Sequence, residues 1–166
     1  VEKLRYGENP HQSGYIYVNN IGNKINQIHG KQLSYNNYND ILSALSITNF
    51  LPKRKGTVIV KHTNHCGVSI DKNNLKSFDQ AFKCDPISSF GDIVSCNYKV
   101  GKKLALELNK IFFEIIIGNG FDKEAIKILM KKKNIRIIDA NNLKLKNFHK
   151  LISNFNSLMF QSQDNN

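Results

Sequence analysis

The sequence has few cysteines, and their arrangement does not suggest covalent cross-links. Cys66, Cys84 and Cys96 are the three cysteines among 166 residues, and no two of them form a CxxC pair. A small secreted domain held together by disulfides needs an even set of cysteines, whereas the cytosol keeps thiols reduced. The cysteine content therefore argues against a disulfide framework and predicts a cytoplasmic protein.

The sequence also lacks a long apolar run and a targeting segment. No stretch reaches the roughly 18 apolar residues that a membrane-spanning helix requires. The first residues, VEKLRYGENPHQ, are polar and contain no apolar signal-peptide core. The missing initiator Met indicates a processed chain or one segment of a longer one. We expect no membrane association and one compact domain over 1–166, because 40% hydrophobic residues suffice for one core.

Acidic residues are scarce relative to basic ones. The 13 Asp and Glu face 24 Lys and Arg, which gives a formal charge of +11. The lysines are spread through the chain, and there is neither an aromatic-interleaved RNA-binding motif nor a zinc finger. A basic surface also attracts small polyanions such as nucleotides. We therefore expect no nucleic-acid partner, and a nucleic-acid binder remains an alternative that rests on charge alone.

Strand-like and helix-like patterns alternate along the chain. Strands are predicted at 14–19, 57–60, 92–97, 115–118, 135–139 and 157–161, and helices at 40–50, around 75–82, around 104–112 and at 122–133. Segments rich in Gly, Ser and Asn are predicted as a loop at 30–40, a turn at 64–67 and a surface loop at 139–147. The helix at 40–50 is expected to bury Ile41, Leu42, Leu45 and Phe50. The alternation predicts an α/β domain with a largely parallel sheet.

The segment VIVKHTNHCGVSI, 58–70, carries the first candidate for chemistry. An apolar strand runs directly into Lys61 and His62, so two ionisable groups follow the carboxyl end of a strand, where open α/β sheets bind ligands. Histidine moves protons at neutral pH, and a nearby ammonium would favour its neutral, basic form. The two side chains can share a ligand only if the strand ends there. Spacing alone slightly favours the structural alternative, a solvated Lys and a His bonded to backbone.

The same segment contains a cluster of potential metal ligands. His62, His65 and Cys66 form an HxxHC pattern. Zinc sites usually add a second ligand pair elsewhere in the chain, and no such pair follows the Asp85-Pro86 dipeptide. We therefore predict no metal site.

Three further segments hold candidate binding residues. In RYGENPHQ, Arg5 could grip a phosphate through its guanidinium fork, or the segment could be an arm that packs on a neighbour. Gly91 would let backbone approach a ligand closely, whereas burial in the core is the favoured interpretation of Phe90. Glu114 lies in an apolar FFEIII run, so it either pairs with a hydrogen-bond donor of a ligand or sits on an edge strand.

Taken together, four segments resemble the AICAR transformylase/IMP cyclohydrolase family, where AICAR is aminoimidazole carboxamide ribonucleotide. LRYGENPHQ, GKQLSYNNYND, VKHTNHCGVSI and AFKCDPISSFGDIVSCN occur in the order that the family shows, and the tail LMFQSQDNN is similar to the stretch that closes its first transformylase lobe. The resemblance implies that residues 1–166 are that first lobe. Its implied fold is a cytidine-deaminase-like three-layer α/β lobe without the deaminase zinc.

The resemblance also implies an activity and its residues. The family transfers a formyl group from 10-formyltetrahydrofolate to the 5-amino group of AICAR during inosine monophosphate (IMP) synthesis. Lys61 and His62 match its catalytic pair. The remaining matched positions are the AICAR-binding residues Arg5, Tyr6, Asn37, Gly91 and Glu114 and the folate-facing residues Ile87 and Phe90. Arg5 and Tyr6 are expected to reach AICAR from the partner in a homodimer with shared sites.

Some features of the family are missing or altered in this sequence. The cyclohydrolase domain and the second transformylase lobe have no counterpart, so we expect the isolated chain to be an inactive part of the catalyst. His65 replaces a proline of the family's motif, which is expected to alter how rigidly the turn holds His62. Gly118-Asn119 replaces an Ala-Pro pair that follows Glu114 in the family, which puts that wall of the pocket in doubt. A non-catalytic module that binds nucleotide and dimerises remains the alternative function.

Overall fold

The computed structural model describes residues 1–17, 25–143, 150–154 and 156–162. In chain order the elements are β1 (Glu2–Lys3), β2 (Tyr15–Ile16), β3 (Asn26–His29), α1 (Tyr35–Thr48), β4 (Gly56–Lys61), β5 (Asn64–Ile70), α2 (Asn74–Cys84), β6 (Ile93–Cys96), α3 (Lys102–Lys110), β7 (Ile115–Gly118), α4 (Lys123–Leu129), β8 (Arg136–Asp139), β9 (Lys150–Asn154) and β10 (Ser157–Gln161). The predicted α/β class is confirmed.

Six strands form a mixed central sheet in the order β3-β8-β7-β6-β4-β5. β6, β7 and β8 are parallel to one another, whereas β4 is antiparallel to both of its neighbours and β3 is antiparallel to β8. β5 therefore has the same direction as β6, β7 and β8. The sheet is mostly parallel in strand direction, as predicted, but β3 and β4 run the opposite way.

Helices cover both faces of this sheet and make three layers. On one face, α1 packs against a cluster that includes Val58, Val60, Ile115, Ile117 and Ile138. On the other face, α2, α3 and α4 pack against a cluster that includes Ile59, Val94, Ile116 and Ile137. Every residue from Val58 to Val60 is fully buried, because alternate side chains of β4 enter opposite helical layers. The β-branched run at 57–60 is thus a central strand, as predicted.

Helix α1 begins earlier than the sequence predicts. The segment 30–40 was expected to be a loop, but the helix starts at Tyr35. Ser34 caps it by accepting a hydrogen bond from the backbone of Asn37, whose side chain in turn accepts one from the backbone N–H of Ser34. Ile41 and Leu45 are buried as expected, whereas Leu42 and Phe50 are exposed.

The hairpin of β4 and β5 replaces the turn that was predicted at 64–67. Residues 64–67 belong to β5, and Lys61 pairs with Asn64 in the ladder. The turn consists of His62 and Thr63 alone. The polar, Gly-containing sequence is typical of a loop, but the backbone of this segment pairs with β4. Glycine is needed at position 67 because a Cβ atom there would clash with the Ala81 carbonyl.

Two helices are shorter than predicted. Helix α3 ends at Lys110, so Ile111 and Phe112 lie in the connection to β7, where Ile111 is extended. Helix α4 ends at Leu129 instead of extending to 133. Helix α2 carries Phe78 on its buried face as expected.

Two small hairpins accompany the central sheet. β1 pairs with β2, and β9 pairs with β10, each in an antiparallel register. The strand predicted at 157–161 is confirmed, but its described partner is β9 and not the central sheet. Residues 18–19 of the strand predicted at 14–19, and residues 144–147 of the predicted surface loop, lie outside the described residues. Within the described ranges, no helix has the length and apolarity needed to cross a membrane.

Candidate active site

Strand direction decides which edge of the sheet carries the candidate site. β4 runs antiparallel to β6, so its carboxyl end, with Lys61, meets the amino ends of β6, β7 and β8. Backbone hydrogen bonds tie this edge together, from Glu114 N–H to the Asp92 carbonyl (2.9 Å) and from Arg136 N–H to the Glu114 carbonyl (3.0 Å). The candidate ligand-binding residues that follow β4 therefore lie at the edge of the sheet where the parallel strands β6, β7 and β8 begin.

His62 occupies a strained two-residue turn. The φ angles of His62 and Thr63 are +48° and +63°, in the left-handed region that two-residue hairpin turns require and glycine normally supplies. Such a conformation costs about 1–3 kcal/mol in a residue with a side chain. Strand β4 ends at Lys61, so the condition for Lys61 and His62 to share a ligand is met. His62 is exposed at the tip of this hairpin.

Helix α1 holds the turn through two hydrogen bonds. The Thr63 backbone N–H donates to Asp40 Oδ1 (2.7 Å), and the Ser43 hydroxyl donates to the Thr63 carbonyl (2.9 Å). Burial raises the pKa of Asp40, while the Thr63 hydrogen bond and the nearby His62 oppose the increase. His62 is thus attached to α1 through the residue that follows it.

Lys61 is enclosed by the loop of residues 85–92, hereafter the 85–92 loop. Its Nζ donates to the carbonyls of Ser88 (2.8 Å) and Phe90 (3.1 Å) and lies 3.4 Å from Asp92 Oδ1. Gly91, at φ +84°, lets the loop fold over the ammonium. The Lys61 side chain is still 38% exposed, so a ligand can reach it from solvent.

Asp92 is a buried carboxylate with little compensation. Its side chain is 0% exposed, and neither oxygen accepts a well-formed hydrogen bond from the described residues. Burial raises the pKa of Asp92, and the charge of Lys61 only partly offsets the increase. Burial and the neighbouring Asp92 raise the pKa of the Cys66 thiol to about 11, so this thiol stays protonated at neutral pH.

Glu114 has an intramolecular partner that the sequence analysis missed. Its Oε1 accepts hydrogen bonds from Arg136 Nη1 (2.8 Å) and Asn37 Nδ2 (3.1 Å). The Arg136 side chain is 7% exposed, whereas that of Glu114 is 42% exposed. The Glu114 carboxylate thus pairs with a buried guanidinium and is itself accessible from solvent. Glu114 precedes an internal strand, and the edge-strand alternative is therefore wrong. A lone Arg in the apolar run IRIID was the available signal.

The 85–92 loop presents two apolar side chains to solvent. Ile87 is 90% exposed and Phe90 is 65% exposed. The Phe90 ring contacts the half-exposed Phe112 ring, with their centroids 5.3 Å apart. The favoured interpretation of Phe90 as a core residue is wrong, because the loop turns its backbone carbonyls, and not its side chains, toward Lys61.

Arg5 and Tyr6 lie on the amino-terminal arm of residues 1–17. Arg5 Nη2 donates to the Tyr6 hydroxyl (3.0 Å), and the guanidinium carbon lies 4.7 Å from the centre of the Tyr6 ring. The Tyr6 carbonyl accepts a hydrogen bond from the N–H of Tyr35, the first residue of α1. Within the described residues, no hydrogen bond connects the side chains of Arg5 or Tyr6 with Lys61 or His62.

The structure therefore brings together some of the predicted site residues and leaves others apart. Lys61, His62, Asn37, Gly91 and Glu114 occupy one edge of the sheet, and the exposed side chains of the 85–92 loop border it. Sequence reasoning assigned no role to Asp40, Ser43, Asp92 or Arg136, since each lies inside a segment that carried a stronger local signal. No set of three or more His, Cys, Asp or Glu side chains within the described ranges forms a metal-binding group.

Comparisons with known proteins agree with the motifs. The family described as AICARFT/IMPCHase bienzyme matches residues 1–166. The bifunctional purine biosynthesis protein PurH of Prochlorococcus marinus (strain MIT 9515) is 45% identical over 149 residues, which cover 83% of this chain and 29% of the relative. PurH of Clostridium kluyveri (strain ATCC 8527) is 43% identical, over 85% of this chain and 29% of the relative.

One further relative matches almost the whole chain. PurH of Prochlorococcus marinus subsp. pastoris is 42% identical over 178 residues, which cover 99% of this chain and 34% of the relative. The chain thus spans about a third of the length of these curated relatives. The family-wide match and the sequence identities establish that the chain belongs to the AICARFT/IMPCHase bienzyme family.

Proposed function

We propose that this chain forms the first lobe of an AICAR transformylase. The complete site would move the formyl group of 10-formyltetrahydrofolate to the 5-amino group of AICAR, a step of purine biosynthesis that leads to IMP. One observation carries the proposal: a proton acceptor, His62, and a fixed cation, Lys61, are adjacent at the edge of the sheet that also holds Asn37 and Glu114.

His62 is proposed as the base. The AICAR amine attacks the formyl carbon, the bond between that carbon and the folate nitrogen breaks, and the amine loses a proton while the folate nitrogen gains one. His62 is exposed at the hairpin tip, so a bound amine can approach its ring. An imidazole can accept this proton near neutral pH.

Lys61 is proposed to stabilise negative charge on the formyl oxygen and to help protonate the departing folate nitrogen. Its ammonium is oriented by the Ser88 and Phe90 carbonyls and by Asp92. A cation held in place before reaction stabilises developing charge with little reorganisation. One of the three contacts would be exchanged for the ligand when it binds.

The remaining residues are proposed to bind the two substrates. Both hydrogen bonds to Glu114 fall on Oε1, so Oε2 is proposed to accept a hydrogen bond from a ribose hydroxyl or amide. Asn37 and Gly91 are proposed to line the same nucleotide pocket. The exposed side chains of Ile87 and Phe90 offer an apolar surface to the folate ring. Arg5 and Tyr6 are proposed to reach the AICAR phosphate and ring of a partner subunit in a homodimer.

The isolated chain is proposed to be catalytically incomplete. The rest of the folate pocket, beyond Ile87 and Phe90, and part of the proton-transfer apparatus are assigned to a second lobe outside residues 1–166. Holding both substrates in register contributes about 7–11 kcal/mol to lowering the barrier, so a half site loses most of its rate. The competing proposal, a nucleotide-binding and dimerisation module without turnover, predicts AICAR binding but no reaction in any assembly.

Formyl transfer by a completed enzyme tests the proposal. The chain would be co-expressed with the remaining transformylase segment of the Prochlorococcus marinus (strain MIT 9515) relative, and formyl-AICAR formation would be followed by mass spectrometry. We expect turnover from the pair, none from the chain alone, and a reduction of about 10²–10⁴-fold in His62→Ala, the usual span for a general base. AICAR affinity, measured by calorimetry, should change far less.

Three results would count against the proposal. Turnover by the isolated chain near the rate of the pair would refute the proposal that catalysis requires a second lobe. Full activity of His62→Ala would make His62 structural and His65, exposed on β5, the next candidate. AICAR binding without turnover in the pair would favour the binding module.

A further inference from the structure

The conformation of the His62–Thr63 turn needs support from outside the hairpin. Two-residue turns of this kind normally contain Asn and Gly, because both central residues take a positive φ. Here they are a His and a β-branched Thr, at +48° and +63°. A Thr in this region is a genuine outlier that surrounding contacts must maintain.

Those contacts come from α1 and from the turn itself. The Thr63 N–H donates to Asp40, and the Thr63 carbonyl accepts from Ser43. The His62 carbonyl accepts from the Thr63 hydroxyl (2.6 Å) and from Asn64 Nδ2 (3.0 Å). Every one of these polar groups of the turn therefore has a partner.

The two clamping residues are fixed by the packing of their helix. Asp40 and Ser43 are three residues apart and so lie on one side of α1. The adjacent Ile41 and Ala44 are fully buried against the sheet. The carboxylate and the hydroxyl thus project from a rigid element toward the turn.

From this geometry we propose that Asp40 is the positioning residue for His62. The Asp40 carboxylate holds the strained turn in place and so fixes where the His62 ring lies at the hairpin tip. The inference rests on the proposed function for the role of His62 at that position, but its contacts belong to the chain alone.

NMR spectra of the five histidines at constant pH test the inference without substrate. Asp40→Ala removes the acceptor of the Thr63 N–H, whereas Asp40→Asn keeps an oxygen that can accept it. We expect Asp40→Ala to shift the ring signals of His62 by more than the scatter among the other four histidines, and Asp40→Asn to restore most of the parent signals. Asp79→Ala is the matched control, because Asp79 pairs with Lys83 on the exposed side of α2, and it should leave the His62 signals unchanged.

A second pair of variants tests the clamp itself. Asp40→Ala should speed hydrogen exchange of the Thr63 amide and lower the thermal midpoint. Thr63→Gly, which removes the strain at positive φ, should recover part of the midpoint lost in Asp40→Ala. No recovery would show that Asp40 does not support the turn.

Unchanged His62 signals in Asp40→Ala would overturn the positioning role. If that variant fails to fold, the double variant Asp40→Ala, Thr63→Gly is compared with Thr63→Gly in its place. The outcome is also separable from the formyl-transfer test, because displaced His62 signals with no turnover in the completed enzyme would leave the positioning role intact and remove the proposed function.

Discussion

Lys61 and Asp92 form an ion pair under the 85–92 loop, but the lysine has more polar contacts to compensate its charge than the aspartate has. Lys61 has two carbonyl acceptors besides Asp92, whereas Asp92 relies on Lys61 for compensation and is fully buried. Burial therefore disfavours the ionised form of Asp92, which is why its pKa is raised. Such a carboxylate lowers stability when it is charged, a common feature of functional sites.

The sign of this effect predicts how Asp92→Asn changes stability with pH. Since the folded pKa of Asp92 lies above the ordinary value of 3.8, the folded state binds the proton more tightly, and stability falls as pH rises from 3.8 through the folded pKa. Asp92→Asn should therefore be more stable than the parent chain at pH 7. The difference should vanish as the pH falls to 3.8 and below. Denaturant unfolding at several pH values measures this.

Asp85, in the same loop, provides a control because its pKa is shifted in the opposite direction. Hydrogen bonds from Ser88 lower the pKa of Asp85, so its ionised form stabilises the fold above 3.8, and that contribution is lost as pH falls through the folded pKa. Asp85→Asn should be less stable than the parent chain at pH 7 and equal to it in strong acid. A loss of stability in Asp92→Asn at pH 7 would show that its ion pair outweighs its burial.

Among the elements, the amino-terminal arm combines a packed residue with an exposed one. Leu4 is 5% exposed and its N–H donates to the Gly14 carbonyl, so the arm is anchored more firmly than a short polar segment suggests. Arg5, the next residue, is exposed and contacts Tyr6. The two positions therefore separate folding from ligand binding.

Arg5→Ala should weaken AICAR binding by about 2–3 kcal/mol in the completed enzyme, in line with the loss of a charge-assisted bond. The thermal midpoint should hardly move, because Arg5 is exposed. Arg5→Lys should recover only part of the affinity, since an ammonium cannot form the bidentate contact. Leu4→Ala is the contrasting variant: it should destabilise the fold by about 2–5 kcal/mol. Calorimetry of AICAR binding and thermal unfolding measure the two effects, and unchanged affinity in Arg5→Ala would remove Arg5 from the site.

For the molecule as a whole, the amino-terminal arm is separate from Lys61 and His62, which raises the question of whether one active site takes residues from two subunits. No described hydrogen bond joins the two regions within one chain. If Arg5 serves the site of a partner subunit, an Arg5→Ala chain mixed with a His62→Ala chain should regain activity. In the mixed dimer of completed enzymes, one site receives both intact residues. Turnover after subunit exchange measures this, and no recovery despite confirmed exchange would refute the shared-site arrangement.

Local features of the sequence were sufficient for much of the fold. The β-branched run of β4, the apolar periodicity of α2 and the strand IIIG were identified because periodicity reports burial directly. Composition predicts helix α1 five residues too late, because Ser34 and Asn37 are typical loop residues, yet their reciprocal capping bonds start the helix at Tyr35.

The sequence by itself determined the family, the class of fold and the placement of Lys61 and His62 where a strand ends, since these depend on residue identity and short-range pattern. Only the tertiary structure decided the direction of β4, the pairing of Glu114 with Arg136 and the attachment of Thr63 to Asp40. Each of these joins segments distant in the chain, and strand pairing and ion pairing between such segments leave no periodic trace in the sequence. The exposure of Phe90 follows the same rule, because the backbone bonds of its loop to Lys61 fix which way the loop faces.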